Sequence, residues 1–253
     1  MVRVLAVPGL PEVEPGLDLV ASILEAVRAA GERLESGDVV VVTSKIVSKS
    51  EGRLVSLEDV TPSGFATAWA TQFGKDPRHV EVVLGETRRI VRMDRGVLIA
   101  ETHHGFICAN AGVDGSNAGG QGRLVLLPLD SDASARGLRE AFGRIAGVDV
   151  AVVISDTFGR AWRTGQTNIA IGCAGIASLR GYHGEIDPDG RTLYATSIAV
   201  VDQLAGAAEL VMGKLDRVPV AIVRGYAYLR PEPDEPDPGV GPLIRQATFD
   251  MFR

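Results

Sequence analysis

The sequence predicts an α+β protein, on three observations. Strand-like apolar runs outnumber helical ones, they come in blocks, and glycine and proline turn signals part them at short intervals instead of a regular strand-helix-strand alternation. With 253 residues the chain is long enough to bury a core without disulfide staples.

Each element has its own signal. Residues 19–34 carry Val20, Ile23, Leu24 and Val27 at the i, i+3, i+4, i+7 spacing of a helix with one buried stripe, and Gly31 and Gly37 punctuate its end. The continuous β-branched run 38–43 is too short for a helix and reads as a fully buried strand, which delivers the polar segment 44–53. Between residues 80 and 109, the short apolar stretches 82–84, 90–91, 97–100 and 106–109 alternate with Gly85, Asp94, Arg95, Gly96 and Gly105, predicting antiparallel strands joined by tight turns. A strand at 124–127 precedes a helix capped by Asp132 or Ser134 and running to about Ala146, with Leu138, Phe142 and Ile145 facing inward. Residues 150–154, 169–176, 192–201 and 218–223 read as strands and 204–211 as a helix. The proline-rich, acidic stretch 230–239 has nothing to bury and is expected to be an exposed spacer before a short tail, leaving 1–229 as the main body.

Composition excludes several classes of function. A net charge of −6 gives no basic field for nucleic acid. No apolar stretch reaches membrane-spanning length, and the N-terminal run is broken too early by Pro8 and Gly9 for a signal peptide. The expectation is a soluble, cytoplasmic protein. Cys108 and Cys173 lie inside apolar runs and read as buried hydrophobes. The four histidines, His79, His103, His104 and His183, have no zinc-ligand spacing and read as incidental, with His103 and His104 on opposite faces of a strand.

Chemistry gathers in three polar segments, each placed after an apolar run. Segment 43–53 offers hydroxyls with Lys45 and Lys49 four apart, which on a helical turn share a face and repel; a bound phosphate would relieve that, and a solvated basic helix start is the equal alternative. Segment 110–117 sets Asp114 and Asn117 among Gly112 and Gly115, whose conformational freedom lets side chains and amides converge on a ligand, or simply makes an Asx-turn hairpin tip. Segment 155–166 places Asp156 and Thr157 at a strand mouth, where oxygens hold hard divalent cations. Arg160 and Arg163, one helical turn apart, could clamp an anion or pair with surface acids, and Trp162 between them reads as core. Neither a dinucleotide fingerprint nor a P-loop is present.

Taken in order, Gly-Leu-Pro-Glu (9–12), Thr-Ser-Lys-Ile-Val-Ser-Lys-x-Glu-Gly-Arg (43–53), Asn-Ala-Gly-Val-Asp-Gly-Ser-Asn (110–117), Asp-Thr-Phe-Gly-Arg-Ala-Trp-Arg-x-Gly-Gln (156–166) and Met-Gly-Lys (212–214) resemble the coenzyme F420-0:L-glutamate ligase family over nearly the whole chain. The resemblance implies a GTP- and metal-dependent amide ligase that adds L-glutamate to the lactyl carboxylate of the deazaflavin precursor F420-0, and then γ-linked glutamates. It implies a two-lobed α+β subunit, with mixed and antiparallel sheets flanked by helices, in an intertwined homodimer. Mapped by position, it makes Leu10, Pro11, Glu12, Val13, Ser44, Lys45, Lys49, Asn117, Met212, Gly213 and Lys214 the nucleotide contacts. Asp114 and Asp156 become ligands of one divalent cation, Mg²⁺ or Mn²⁺, and Thr157 a contributor to a second, with K⁺ a further candidate cation. Asp114, Asp156 and Lys49 are the residues expected to carry catalysis. One departure stands out: Lys214 occupies a place where an acidic ligand of the second metal is expected, with Asp216 the available substitute. In some actinobacterial relatives a nitroreductase-like flavin domain follows a tail similar to residues 244–253, and the sequence leaves a stand-alone ligase and an excised domain both open.

Overall fold

In the computed structural model, residues 1–232 and 236–251 are described. In chain order the regular elements are β1 (Arg3–Val7), α1 (Leu19–Ala29), β2 (Val39–Thr43), α2 (Ser44–Ser50), β3 (Leu54–Ser56), α3 (Gly64–Phe73), α4 (Pro77–Gly85), β4 (Thr87–Asp94), β5 (Val97–Thr102), β6 (Ile107–Ala109), β7 (Arg123–Val125), α5 (Ser131–Ala146), β8 (Ala151–Arg160), β9 (Arg163–Ala174), β10 (Leu179–Gly181), β11 (Ser197–Ala199), α6 (Val200–Met212) and β12 (Val220–Arg224). The fold is α+β, as the sequence predicts. No helix among the described residues is long and apolar enough to cross a membrane.

A five-stranded sheet in the order β1-β12-β2-β8-β9 forms the centre. Only β2 and β8 run parallel; the other neighbours are antiparallel. The run Val39–Val42 is wholly buried because both faces of this strand are covered. Val40 and Val42 face Ile23 and Val27 of α1 and Phe142 of α5, while Val39 and Val41 face Leu204, Ala205 and Ala208 of α6. Each fully buried aliphatic side chain there contributes roughly 1.5–3 kcal/mol. Close approach is built in at Gly172 of β9, where a Cβ would lie 2.4 Å from the Ser131 carbonyl oxygen at the start of α5.

The second group of elements comprises α3, α4, the sheet β4-β5-β6 and the ribbon β3-β7, packed around Val83, Leu98, Ala100, Leu124 and Leu126. Here the sequence reading needs a correction. Residues 82–84 are helical, because Asp76 accepts the Arg78 N–H at 2.9 Å, Pro77 takes the first helical turn, and Val80 and Val83 sit one turn apart on the buried side.

Other boundaries move for similarly local reasons. The cap of α5 is Asp130, whose Oδ1 accepts the Ala133 N–H at 2.8 Å, and Ile145 is exposed while Phe142 is fully buried. Asp132 instead accepts the N–H groups of Cys173 and Val240. The expected strand 192–201 shrinks to β11, and Val200 already begins α6. His103 and His104 lie in a turn after β5, with His104 Nε2 2.8 Å from the Pro128 carbonyl oxygen, so they do not alternate across a strand. Cys108 and Cys173 are buried free thiols, as expected. Within the proline-rich stretch, Pro233, Asp234 and Glu235 lie outside the described residues. The part that follows is docked rather than exposed: Asp237 accepts the Gly175 N–H at 2.7 Å and Val240 is buried against the α6 face of the sheet.

Candidate active site

The parallel pairing of β2 with β8 sets Thr43 opposite Ser155, so the next residues of both chains, Ser44 and Asp156, emerge side by side. Ser44 Oγ donates to Asp156 Oδ1 at 3.0 Å. The chain then turns at once into α2, which aims Lys45 and Lys49 along the same end of the sheet.

Asp114 reaches this place from the other group of elements. It follows a tight 3₁₀ turn, Asn110–Gly112, in which Asn110, Ala111 and Gly112 all have positive φ. Gly112 has no alternative here, since a Cβ would meet Leu127 at 2.7 Å. Backbone bonds of 3.0 and 2.8 Å with Val125 then fix Asp114 in an isolated bridge. Lys45 Nζ donates to Asp114 Oδ2 at 2.7 Å and to the carbonyl and hydroxyl oxygens of Ser116 at 2.6 and 3.0 Å. Ser116 completes the clasp by donating its N–H to Asp114 Oδ1 at 2.7 Å and its hydroxyl to Oδ2 at 2.8 Å. Lys49 is 7% exposed at its side chain and donates to Glu12, which is 67% exposed, on the loop before α1. The two lysines of α2 therefore do not repel unrelieved; each holds a different acid.

The two aspartates sit in contrasting environments. Burial pushes the Asp156 carboxyl up to about 6, the negative charge of Asp114 adds to the rise, and the bonds from Ser44 and the Thr157 N–H oppose it. Burial also acts on Asp114, but the bonds from Lys45 and Ser116 outweigh it and hold that carboxyl below its ordinary value. Asp156 thus feels the charge of Asp114, and Lys45 bears on both.

The remaining expected contacts divide by position. Val13 is buried and Leu10 partly buried against the central core, Pro11 is exposed, and Asn117 is exposed with φ 53° one residue past Ser116. Thr157 leaves the opposite face of β8 from Asp156: its hydroxyl donates to Asn168 Oδ1 at 2.7 Å, and the Asn168 N–H donates to Glu209 of α6 at 2.9 Å. Met212, Gly213 and Lys214 follow Glu209 at the end of α6; Met212 is buried, and Gly213 has φ 59° with the Asp216 carboxylate packed against it. No hydrogen bond among the described residues joins these three to the lysine–aspartate group. Arg160 and Arg163 are not a helical turn apart. They face each other across the β8–β9 hairpin, with Trp162 exposed at its tip and not in the core. The sequence reading gave no role to Ser116, Asn168 or Glu209. Ser116 was legible as an Asx-turn partner two residues past Asp114, whereas Glu209 looks like any solvated helix acid.

Among the described residues no three His, Cys, Asp or Glu side chains gather as a metal cage. The donor set still suits a hard divalent cation that shares its coordination with substrate oxygens: two carboxylates, Asp114 and Asp156, and the Ser44 hydroxyl. Lys45 places one positive charge on Asp114.

The chain is similar to known proteins over nearly its whole length. The family model described as F420-0:Gamma-glutamyl ligase matches residues 9–225. A protein of Methanothermobacter thermautotrophicus named coenzyme F420:L-glutamate ligase is 43% identical over 255 residues, covering 100% of this chain and 99% of its own. Proteins of the same name from Methanopyrus kandleri and Haloarcula marismortui are 44% and 41% identical, over 99% and 89% of this chain and 97% and 88% of theirs. The chain belongs to the F420-0:gamma-glutamyl ligase family.

Proposed function

We propose that this chain is a GTP-dependent ligase that joins L-glutamate to the lactyl carboxylate of coenzyme F420-0 and then adds γ-linked glutamate. The observation that carries this reading is the meeting of Asp156, next to the point where the parallel β2–β8 pairing ends, with Asp114 on its turn, Lys45 bonded to Asp114 and a second, buried cation, Lys49, one turn further along α2. Forming an amide from a carboxylate and an amine requires an activated carboxylate. Transfer of the γ-phosphoryl group of GTP to the acceptor carboxylate yields GDP and an acyl phosphate, and attack by the glutamate amine then forms the amide and releases phosphate.

The protein's part is positioning and charge. Lys45 and Lys49 neutralise the phosphoryl oxygens along the transfer path. Glu12, on an exposed loop, gives way to the nucleotide at Lys49. Asp114 and Asp156 would hold Mg²⁺ or Mn²⁺, which supplies charge neutralisation on phosphate oxygens when bound. With a cation present Asp156 is ionised, so the elevated proton affinity of the free site matters chiefly below neutral pH.

The test is GTP consumption measured with and without F420-0 and L-glutamate. Dependence on both is the expected result. Turnover only with a different carboxylate acceptor would reassign the substrate, and GTP binding without turnover would make this a nucleotide-binding module.

A further inference from the structure

Strand β8 does not stop at Asp156. It continues to Arg160, a span of about 13 Å at the usual strand rise with a register irregularity between Gly159 and Arg160, turns at Ala161 and Trp162, and returns as β9. Three features of this projecting hairpin are costly for a structural turn. Arg160 and Arg163 are paired in register across the two strands, an arrangement in which like charges oppose folding. Among the described residues neither guanidinium has a carboxylate oxygen within 4.0 Å; Arg160 donates only to the neutral carbonyls of Thr164, at 2.9 Å, and Gly165, at 3.3 Å. The left-handed position of the turn, φ 59°, is filled by Trp162, where glycine or asparagine would serve at less cost, and its side chain is 79% exposed.

Two guanidinium groups with no carboxylate partner among the described residues, beside an exposed indole, suit a ligand that carries an anionic group next to a flat ring. Arginine grips such anions through paired N–H donors, and both arginine and tryptophan stack on flat rings. We propose that this hairpin is the acceptor-binding arm of the site: it holds the anionic, aromatic body of the acceptor while the acceptor's reacting carboxylate lies at Asp114 and Asp156. The assignment rests on the ligase reading above. It favours the acceptor over the nucleotide because the α2 lysines already supply the phosphate-binding charge, at the near end of the strand. It also accounts for length, since the carboxylate of an extended deazaflavin acceptor must sit well away from its ring.

The test compares the native enzyme with Trp162→Ala, Trp162→Phe and Arg163→Gln. F420-0 binding is measured by equilibrium dialysis without GTP, and KM is measured for each substrate in turn. Trp162→Ala and Arg163→Gln are expected to weaken F420-0 binding and raise its KM about tenfold or more, with the KM values for GTP and L-glutamate within about twofold of native and thermal stability unchanged; Trp162→Phe should retain most of the affinity. Unchanged F420-0 binding in both variants, in an enzyme whose native form turns over, would overturn the arm alone. So would a shift confined to the GTP KM, or a changed sedimentation coefficient with parallel losses for all three substrates, which would make the hairpin a subunit contact. A native enzyme with no acceptor-dependent GTP consumption would instead sink the ligase reading, and the arm with it.

Discussion

Lys45 commits all three of its N–H donors to Asp114 and Ser116, and Lys49 buries its ammonium against a single exposed acid. These pairings make different predictions. Lys49→Met removes a charge-assisted phosphate contact and should cost roughly 1.5–3 kcal/mol of GTP affinity, a rise in KM of tenfold or more, with the fold intact. Glu12→Gln removes the anion that competes for the same ammonium and should lower the GTP KM; a raised KM would show that Glu12 orients Lys49 in the complex. Asp156 gives a prediction in pH. Its carboxyl is held at about 6, above the ordinary aspartate value, so folding favours the protonated form and the free protein loses stability as pH rises from about 4 to about 6. Asp156→Asn lifts that loss. Its melting temperature should exceed that of the native protein at pH 8, by the equivalent of at most about 3 kcal/mol, and match it at pH 4, whereas an equal offset at both pH values would contradict the buried-carboxyl explanation. At this scale the sequence singled out candidate residues but not which of them touch. Asp114, Asp156 and the two lysines were visible because each follows a recognisable apolar run. Their pairings were not, because Lys45–Asp114 and Lys49–Glu12 join segments far apart in the chain.

At the scale of elements, the runs with one dominant signal were legible. The β-branched run of β2, the amphipathic stripe of α1 and the apolar face of α5 at Phe142 all form where expected. Misreadings came where a short apolar run serves two periodicities, as at 82–84, whose helix is decided by the Asp76 cap and Pro77 rather than by the run itself. The β8–β9 hairpin was misread for a related reason. Its polar, arginine-rich tip has no strand alternation of its own, and it is held extended by the register that begins in the buried part of the pair. Gly172 shows how tightly that register is packed, because α5 starts directly over it. Gly172→Ala should destabilise the protein by about 1–3 kcal/mol, seen as a lower denaturant midpoint with an unchanged slope, while Gly137→Ala in exposed surroundings on α5 should be neutral or stabilising. Equal midpoints for Gly172→Ala and the native protein would mean that α5 can shift to make room.

At the scale of the whole molecule, the site exists only because two groups of elements meet: Asp156 and the lysines come from the central sheet, and Asp114 comes from the turn that leads away from the β4-β5-β6 sheet. That outer sheet exposes Ile90, Val91, Val97 and Ile107, apolar side chains that a second copy of the chain would cover. A homodimer is the expected state; an active sample that sediments as a monomer at micromolar concentration would contradict it. The site itself is tested most directly by a double-mutant cycle on its two aspartates. GTP- and glutamate-dependent ligation is measured for the native enzyme, Asp114→Asn, Asp156→Asn and the double variant across a Mn²⁺ titration. If both carboxylates grip one cation, each single variant loses most of the activity and the double variant loses far less than the product of the two losses, since residues acting as a unit are not additive. Near-native turnover in either single variant, at the Mn²⁺ concentration that half-saturates the native enzyme, would remove that aspartate from the site.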